Sequence, residues 1–249
     1  YLDYAEFVYG DRLTPLTHED STRAFASYVE DAHKRLQHDQ EFPGAPRQIR
    51  PGEDITVDQD GRVSVGGALA VMAINEKLLE QLMAQNPGVP FAMEESFPLQ
   101  SIYGTSSPRG AVIELRGAEG GGDPMTPARA QESVAYWTTA TDSLRGDPEV
   151  RESPAASESW AKLLIAQGGL LQEQKFPAEA ETLFQMATEL APGHPESVMR
   201  HLQLLSGQGR WSEAQTLVES ALAAAPDNSN FNFQQLLTVV KAQLAAPAP

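Results

Sequence analysis

The sequence of 249 residues contains no cysteine. This absence excludes a disulfide framework, catalysis by a thiolate and zinc sites built on cysteine. It leaves the compartment open, because oxidising and reducing environments both accept proteins without cysteine.

Basic residues are scarce in the sequence. Lys and Arg number 18 against 34 Asp and Glu, which gives a formal charge of −16 at pH 7. A surface this acidic repels phosphate backbones and anionic lipid headgroups. We therefore expect neither nucleic-acid binding nor polybasic attachment to a membrane.

Long apolar runs and a leader segment are also lacking. No stretch approaches the roughly 18 apolar residues of a membrane span. The sequence begins at Tyr1, without a methionine, a basic segment or an apolar leader. We expect the chain to be a piece of a longer protein.

Motifs of metal and cofactor chemistry are absent as well. There is no His-Glu-x-x-His, no Gly-x-Ser-x-Gly, no Walker-type loop and no dinucleotide fingerprint. Asp58, Asp60 and Gly61 resemble the start of a calcium loop, but the twelfth position is Leu69 instead of glutamate. The sequence therefore predicts no metal and no cofactor, and it predicts a turn at residues 58–61.

The first half of the sequence has a mixed α/β pattern. A second helix after a short one is predicted to begin with Asp20 or Ser21 as its cap, with Phe25 and Tyr28 on its apolar side. The Asp-Gly pair at 60–61 predicts a hairpin between two alternating strands. In chain order, we predict helices over 2–9 and 19–36, hairpin strands over 55–57 and 62–65, a helix over 68–85 whose apolar stripe includes Val71, and strands over 89–93 and 111–115.

Three residues recur at a fixed spacing in the last third of the chain. Ala180, Ala187 and Pro192 return 34 residues later as Ala214, Ala221 and Pro226. A small residue lets two antiparallel helices approach closely, and proline ends a helix. The period and the residue types resemble the tetratricopeptide repeat (TPR), in which each unit is a helical hairpin.

The resemblance implies two degenerate repeats, over residues 161–193 and 195–228. A helix over 229–244 is predicted to cover the open end of the second hairpin, and a helix over 127–144 that contains Trp137 to cover the other end. We therefore predict an α+β fold in which a small mixed α/β lobe (1–117) and a linker with a bridging helix (118–156) precede an all-α array of two repeats and a capping helix (157–249).

In TPR proteins, the inner faces of the first helices usually line a concave groove. At the corresponding positions of this sequence, each repeat has one aliphatic residue or methionine among polar residues. This composition suits an adaptable peptide groove. The expected partner is a protein or peptide, and the alternative is that the array packs against its own α/β lobe. The predicted groove residues are Lys162, Ile165, Gln172, Glu196, Met199 and Gln203.

The first half carries short motifs in an order that resembles a known protein group. They are YLDY at 1–4, YGD at 9–11, VMAINE at 71–76, FAMEESFP at 91–98, PRG at 108–110 and AYW at 135–137. The order is similar to the C-terminal soluble region of an uncharacterised bacterial family of multi-pass membrane proteins, whose membrane half is similar to protein O-mannosyltransferases. The resemblance implies that upstream spans provide any membrane contact and that this region faces the periplasm.

Three functional alternatives follow from the residues and the resemblance. The preferred one is a non-enzymatic docking tail of a glycosyltransferase-like membrane protein. In the second, the α/β lobe contributes a substrate-binding or catalytic surface, for which the candidates are Glu94, Glu95, Tyr103 and Arg109. Glu94 and Glu95 would point to opposite faces of a strand, which disfavours their joint action. A free-standing TPR scaffold is a third alternative.

Overall fold

The computed structural model describes residues 12–94, 103–115, 125–226 and 231–245. The described chain forms two compact units, one that ends at Phe91 and one that begins at Ala92. The helix predicted over 2–9, residues 95–102 and the first part of the predicted linker, residues 118–124, lie outside the described residues.

The first unit begins with helix α1, which runs from His18 to Glu41. Its N-cap is Thr17, whose hydroxyl accepts a hydrogen bond from the backbone of Asp20 while the Asp20 carboxylate accepts from the Thr17 backbone. The prediction that Asp20 or Ser21 caps the helix was therefore wrong, because Asp20 is the third residue of a capping box. Tyr28 is buried as predicted, but Phe25 is 49% exposed.

A hairpin and a second helix complete this unit. Strands β1 (Asp54–Val57) and β2 (Val63–Gly66) pair antiparallel. The Asp58 carboxylate accepts hydrogen bonds from the backbone of Asp60 and Arg62, and Gly61 has a φ of +77°, so the predicted turn is confirmed. Helix α2 spans Ala68–Gln85, as predicted, although Val71 of the expected apolar stripe is 56% exposed.

An ion-pair network lies between α1 and the hairpin. The Glu53 carboxylate is fully buried and accepts hydrogen bonds from Arg35, Tyr28 and the backbone of Arg50. Burial raises the pKa of Glu53, but these donors outweigh it and lower the pKa to about 2. The carboxylate therefore contributes to stability as an anion.

A small sheet lies almost entirely at the start of the second unit. Strands β3 (Phe91–Met93), β4 (Ser107–Arg109) and β5 (Val112–Leu115) form it in the order β3-β5-β4. Strand β4 lies between the strands predicted over 89–93 and 111–115, where no strand was predicted, and its Pro108 is tolerated because β4 is an edge strand. Strands β4 and β5 belong to the same compact unit as the helices that follow.

Seven helices of the described chain follow in this unit, and most begin with proline at the first helical position, where its missing N–H costs nothing. They are α3 (Pro127–Gly146), α4 (Pro148–Glu152), α5 (Pro154–Glu173), α6 (Pro177–Leu190), α7 (Pro195–Gly207), α8 (Trp211–Ala224) and α9 (Phe233–Ala245). The predicted α+β class with a TPR-like helical array is confirmed.

Helices α5 and α6 form the first hairpin, and α7 and α8 form the second. Ala180 and Ala187 are fully buried, and Ala214 and Ala221 are at most 1% exposed. A Cβ atom on Gly168 of α5 would lie 2.6 Å from the Phe184 ring on α6, so the crossing requires a glycine there. Helix α9 packs on α8, and α3 packs on α6 with Trp137 in the core, so both ends of the array are covered.

Candidate interaction surface

The six predicted groove residues lie on the first helix of each hairpin. Lys162 and Gln172 on α5, and Glu196 and Gln203 on α7, are exposed. Met199 is half-buried against the core of the second hairpin. Ile165 is only 1% exposed and belongs to the core of the first hairpin, so its side chain is not presented to solvent. A binding role for the other five remains a prediction.

The first helices of the two hairpins (α5 and α7) and the second helices (α6 and α8) differ in how their charged residues are paired. Four of the five glutamates on α6 and α8 form ion pairs with cations from neighbouring elements: Glu189 with Arg145, Glu181 and Glu213 with Arg210, and Glu219 with Lys241. On α5 and α7, Lys162, Glu196 and Arg200 form no ion pair within the described residues. The first helices therefore carry charges of both signs that remain open to a partner.

Another face of α5 is held to α3 and to the turn between β4 and β5. The Gln167 side-chain oxygen accepts hydrogen bonds of 2.9 Å from Ser133 and from the Trp137 indole, and its nitrogen donates to the carbonyl oxygens of Gly110 and Val112. Gln167 is fully buried, and every polar atom of its amide group has a partner. No sequence pattern predicts this role, because a lone glutamine inside an apolar helix has no characteristic spacing.

Gln174, seven residues further along, extends the same contact. Its side-chain nitrogen donates to the carbonyl oxygens of Tyr103 and Ser106. The two glutamines therefore bind backbone oxygens on both sides of β4. This face of α5 is occupied within the chain and is not available to an external partner.

The three described candidate residues of the α/β lobe have different surroundings. Tyr103 is buried, and its carbonyl oxygen accepts a hydrogen bond from Gln174, the C-cap of α5. Arg109, on the edge strand, pairs with Glu114 at 3.4 Å. Glu94 is exposed one residue after β3, and Glu95 lies outside the described residues. A joint site for these residues remains a prediction.

A groove that the sequence did not predict runs along the turns between the hairpins, with a volume of about 630 Å³. Its walls are helix ends, because α3, α6 and α8 end there and α5 begins there. The two turns stack closely, since a Cβ atom on Gly193 would lie 2.7 Å from that of Ala225. The lining includes Arg145, Arg151, Glu158, Glu189, Pro192 and His194.

The described residues hold no group of three His, Asp or Glu side chains that is arranged to bind a metal ion. In the same parts of the chain, no helix has both the length and the apolar character that crossing a bilayer requires.

Comparison with known proteins agrees with this geometry for part of the chain. The family described as tetratricopeptide repeat matches residues 171–238, from the end of α5 into α9. The matched segment therefore is a TPR region, a class of helical repeat that generally binds proteins. No curated protein matches the chain. No solved structure matches it either.

Proposed function

We propose that the helical array is a docking module that binds a protein partner through the exposed surface of α5 and α7. The observation that carries this proposal is the TPR match over residues 171–238, since stacked helical hairpins present extended binding surfaces. The exposed positions on these two helices supply charges that are not neutralised by neighbouring elements.

The composition of this surface favours a peptide segment with polar and small apolar side chains. Lys162 and Glu196 offer opposite charges, Gln172 and Gln203 offer both hydrogen-bond donors and acceptors, and the flexible thioether of Met199 adapts to different apolar groups. Two hairpins provide a short surface, so we expect moderate affinity and a partner segment of limited length.

Site-specific crosslinking tests the position of the surface. A photoreactive amino acid replaces Gln203 on α7 in the full chain, and a matched variant carries it at Gln185 on α6, which is also exposed. We expect crosslinked partner at position 203 and none at position 185. Equal crosslinking at both positions, or crosslinking at 185 alone, contradicts the proposal.

Substitutions then test the contribution of individual side chains. We expect Met199→Glu combined with Lys162→Glu to weaken the binding of the crosslinked partner at least tenfold, which corresponds to about 1.4 kcal/mol. The matched control is Gln185→Glu combined with Thr216→Glu on the second helices. An unchanged dissociation constant in the first double variant excludes this surface as the docking site.

We further propose that the chain is the extracytoplasmic region of a multi-pass membrane protein similar to protein O-mannosyltransferases. The motif order in residues 1–137 supports this assignment, and the negative charge of the chain is compatible with a region that stands away from anionic headgroups. The coding sequence upstream of Tyr1 tests it. We expect several membrane spans there, and an upstream sequence without any span contradicts the proposal.

A further inference from the structure

Two histidines, one at the N-cap of α7 and one within the helix, are buried, although histidine is usually found at least partly exposed. His194 is 8% exposed and His201 is 9% exposed. Helix α7 packs on α5, α6 and α8, so both rings lie at the contact between the two hairpins. Neither residue belongs to the proposed docking surface.

His194 is the N-cap of α7. Its ring atom Nδ1 lies 3.4 Å from the backbone nitrogen of Ser197 and 2.8 Å from the Ser197 hydroxyl. A backbone N–H can only donate, so Nδ1 is the acceptor and the neutral ring carries its hydrogen on Nε2. Protonation of Nδ1 removes this acceptor and leaves the first turn of α7 without its cap.

The charges around His194 come from two helices and from the groove that it borders. Burial lowers the pKa of His194; Lys162 on α5 acts in the same direction, whereas Glu158 on α5 and Glu196 on α7 oppose it. Arg145, Arg151 and Glu189 line the same groove. Burial therefore favours the neutral ring, which is also the form that the capping role requires.

His201 lies about two turns further along α7. Its Nδ1 is 3.5 Å from the Thr188 hydroxyl on α6, and that hydroxyl donates its hydrogen to the carbonyl of Gln185. Burial lowers the pKa of His201 and Arg210 adds to this, outweighing the opposite effect of three carboxylates, two on α6 and one on α8. These carboxylates are Glu181, Glu189 and Glu213.

We propose that α7 is an acid-sensitive element of the repeat array: protonation of His194 removes the cap of the helix, protonation of His201 places a charge inside the α6–α7 contact, and the second hairpin loosens from the first. The device needs no partner, so it can be tested independently of the docking function.

The direction of the pH dependence follows from the pKa values in the two states. A histidine whose pKa is lower in the folded chain than its usual value of about 6.5 is protonated more readily when α7 opens. Its stabilising contribution is complete above pH ~6.5 and is lost as the pH falls from there towards the folded pKa. Glu213 and Glu219 have pKa values below 4.5 and lose their contributions only under more acidic conditions. The interval from pH 7.5 to 5.5 therefore isolates the histidines.

Hydrogen exchange of the α7 amides, corrected for the intrinsic pH dependence of exchange, measures the opening. In the wild-type chain we expect protection in α7 to decrease between pH 7.5 and pH 5.5, by at most about tenfold per histidine and per pH unit. The variant His194→Asn, His201→Gln keeps a neutral cap acceptor and a polar side chain of similar size. We expect its α7 protection to be independent of pH in this interval.

The matched control is His33→Gln on α1, in the other unit, which should behave as wild type. Wild-type protection that does not change with pH, or an equal decrease in the double variant, overturns the proposal. If the double variant does not fold, an NMR titration of the wild-type imidazole protons decides. Both pKa values below 6.5 support the proposal, and a value at or above 6.5 for both histidines overturns it.

Discussion

Lys175 and Gly209 occupy the same position in the two hairpin turns, 34 residues apart, and both have a φ of +71°. Each turn also repeats the same long-range backbone bond, from Phe176 to Leu171 in the first and from Arg210 to Leu205 in the second. This is the Schellman ending of a helix, in which the residue with positive φ is usually glycine. The first repeat has a lysine there, which stores strain.

We expect Lys175→Gly to raise the free energy of unfolding of the second unit by up to about 1 kcal/mol. The left-handed conformation costs a side-chain-bearing residue about 1–2 kcal/mol, and the larger entropy loss of glycine offsets part of this gain. Gly209→Ala should lower the free energy of unfolding by about 1–2 kcal/mol. Urea unfolding of both variants measures the two effects, and changes of equal sign contradict the assignment.

Neighbouring glycines on α5 give a second prediction. Gly168→Ala brings a methyl group against the Phe184 ring, so we expect a loss of about 1–3 kcal/mol in the free energy of unfolding. Gly169→Ala, where no neighbouring atom lies within 4 Å, should be neutral or stabilising by up to about 1 kcal/mol. Thermal unfolding compares them. Equal melting temperatures for the two variants show that the α5–α6 crossing is not tight at Gly168.

The buried amide of Gln167 supports a third prediction. Gln167→Leu removes the partner of the Ser133 hydroxyl, the Trp137 indole and two backbone carbonyls, and each unsatisfied buried group costs about 1–3 kcal/mol. We expect a total loss of at least about 2 kcal/mol. Gln172→Leu, on the exposed side of the same helix, should change the free energy of unfolding by less than about 0.5 kcal/mol. Denaturant titration followed by tryptophan fluorescence measures both variants.

Glu53 gives the fourth prediction, which concerns acid stability of the first unit. Because its pKa is lowered to about 2, its contribution is present above pH 4.5, its usual pKa, and is lost as the pH falls towards 2. Glu53→Gln leaves Arg35 without its buried partner and should cost about 3 kcal/mol at pH 7. The variant should also lose less stability than wild type between pH 4.5 and pH 2.

Hydrogen exchange of the α1 amides at several pH values follows this loss. Glu30→Gln is the matched control, because Glu30 forms an exposed pair with Lys34 on the same helix and should have no measurable effect. Parallel pH curves for Glu53→Gln and wild type exclude Glu53 as the source of the acid sensitivity.

Local chemistry made part of the fold predictable from the sequence. The Asp-Gly turn, helix α2 and the helical hairpins marked by the repeated Ala and Pro residues depend on residues that are close in sequence. Each of them lies where it was expected. The cap of α1 was missed because Thr17 and Asp20 share the task, and the sequence alone does not show which of them precedes the helix. The exposure of Phe25 and Val71 was also missed, since helical spacing shows that an apolar face exists but not how far it is covered.

Long-range contacts decided the remaining features. Ile165 and Met199 occupy equivalent repeat positions, but Ile165 is enclosed in a core that includes Ala130 and Trp137 of α3, whereas Met199 stays half-buried. A comparison of the repeats with each other cannot reveal this difference. Strand β4 likewise depends on pairing with β5 and is not encoded in its own residues, which include a proline.

The hydrogen bonds of Gln167 also determine the smallest fragment that can fold as an independent unit. A fragment that begins at the first repeat boundary would lack Gly110, Val112, Ser133 and Trp137, and would carry a solvated glutamine where the intact chain has a dry contact. The TPR match therefore delimits a recognisable pattern and not an autonomous domain, and a truncation that preserves folding has to retain the chain from before β4.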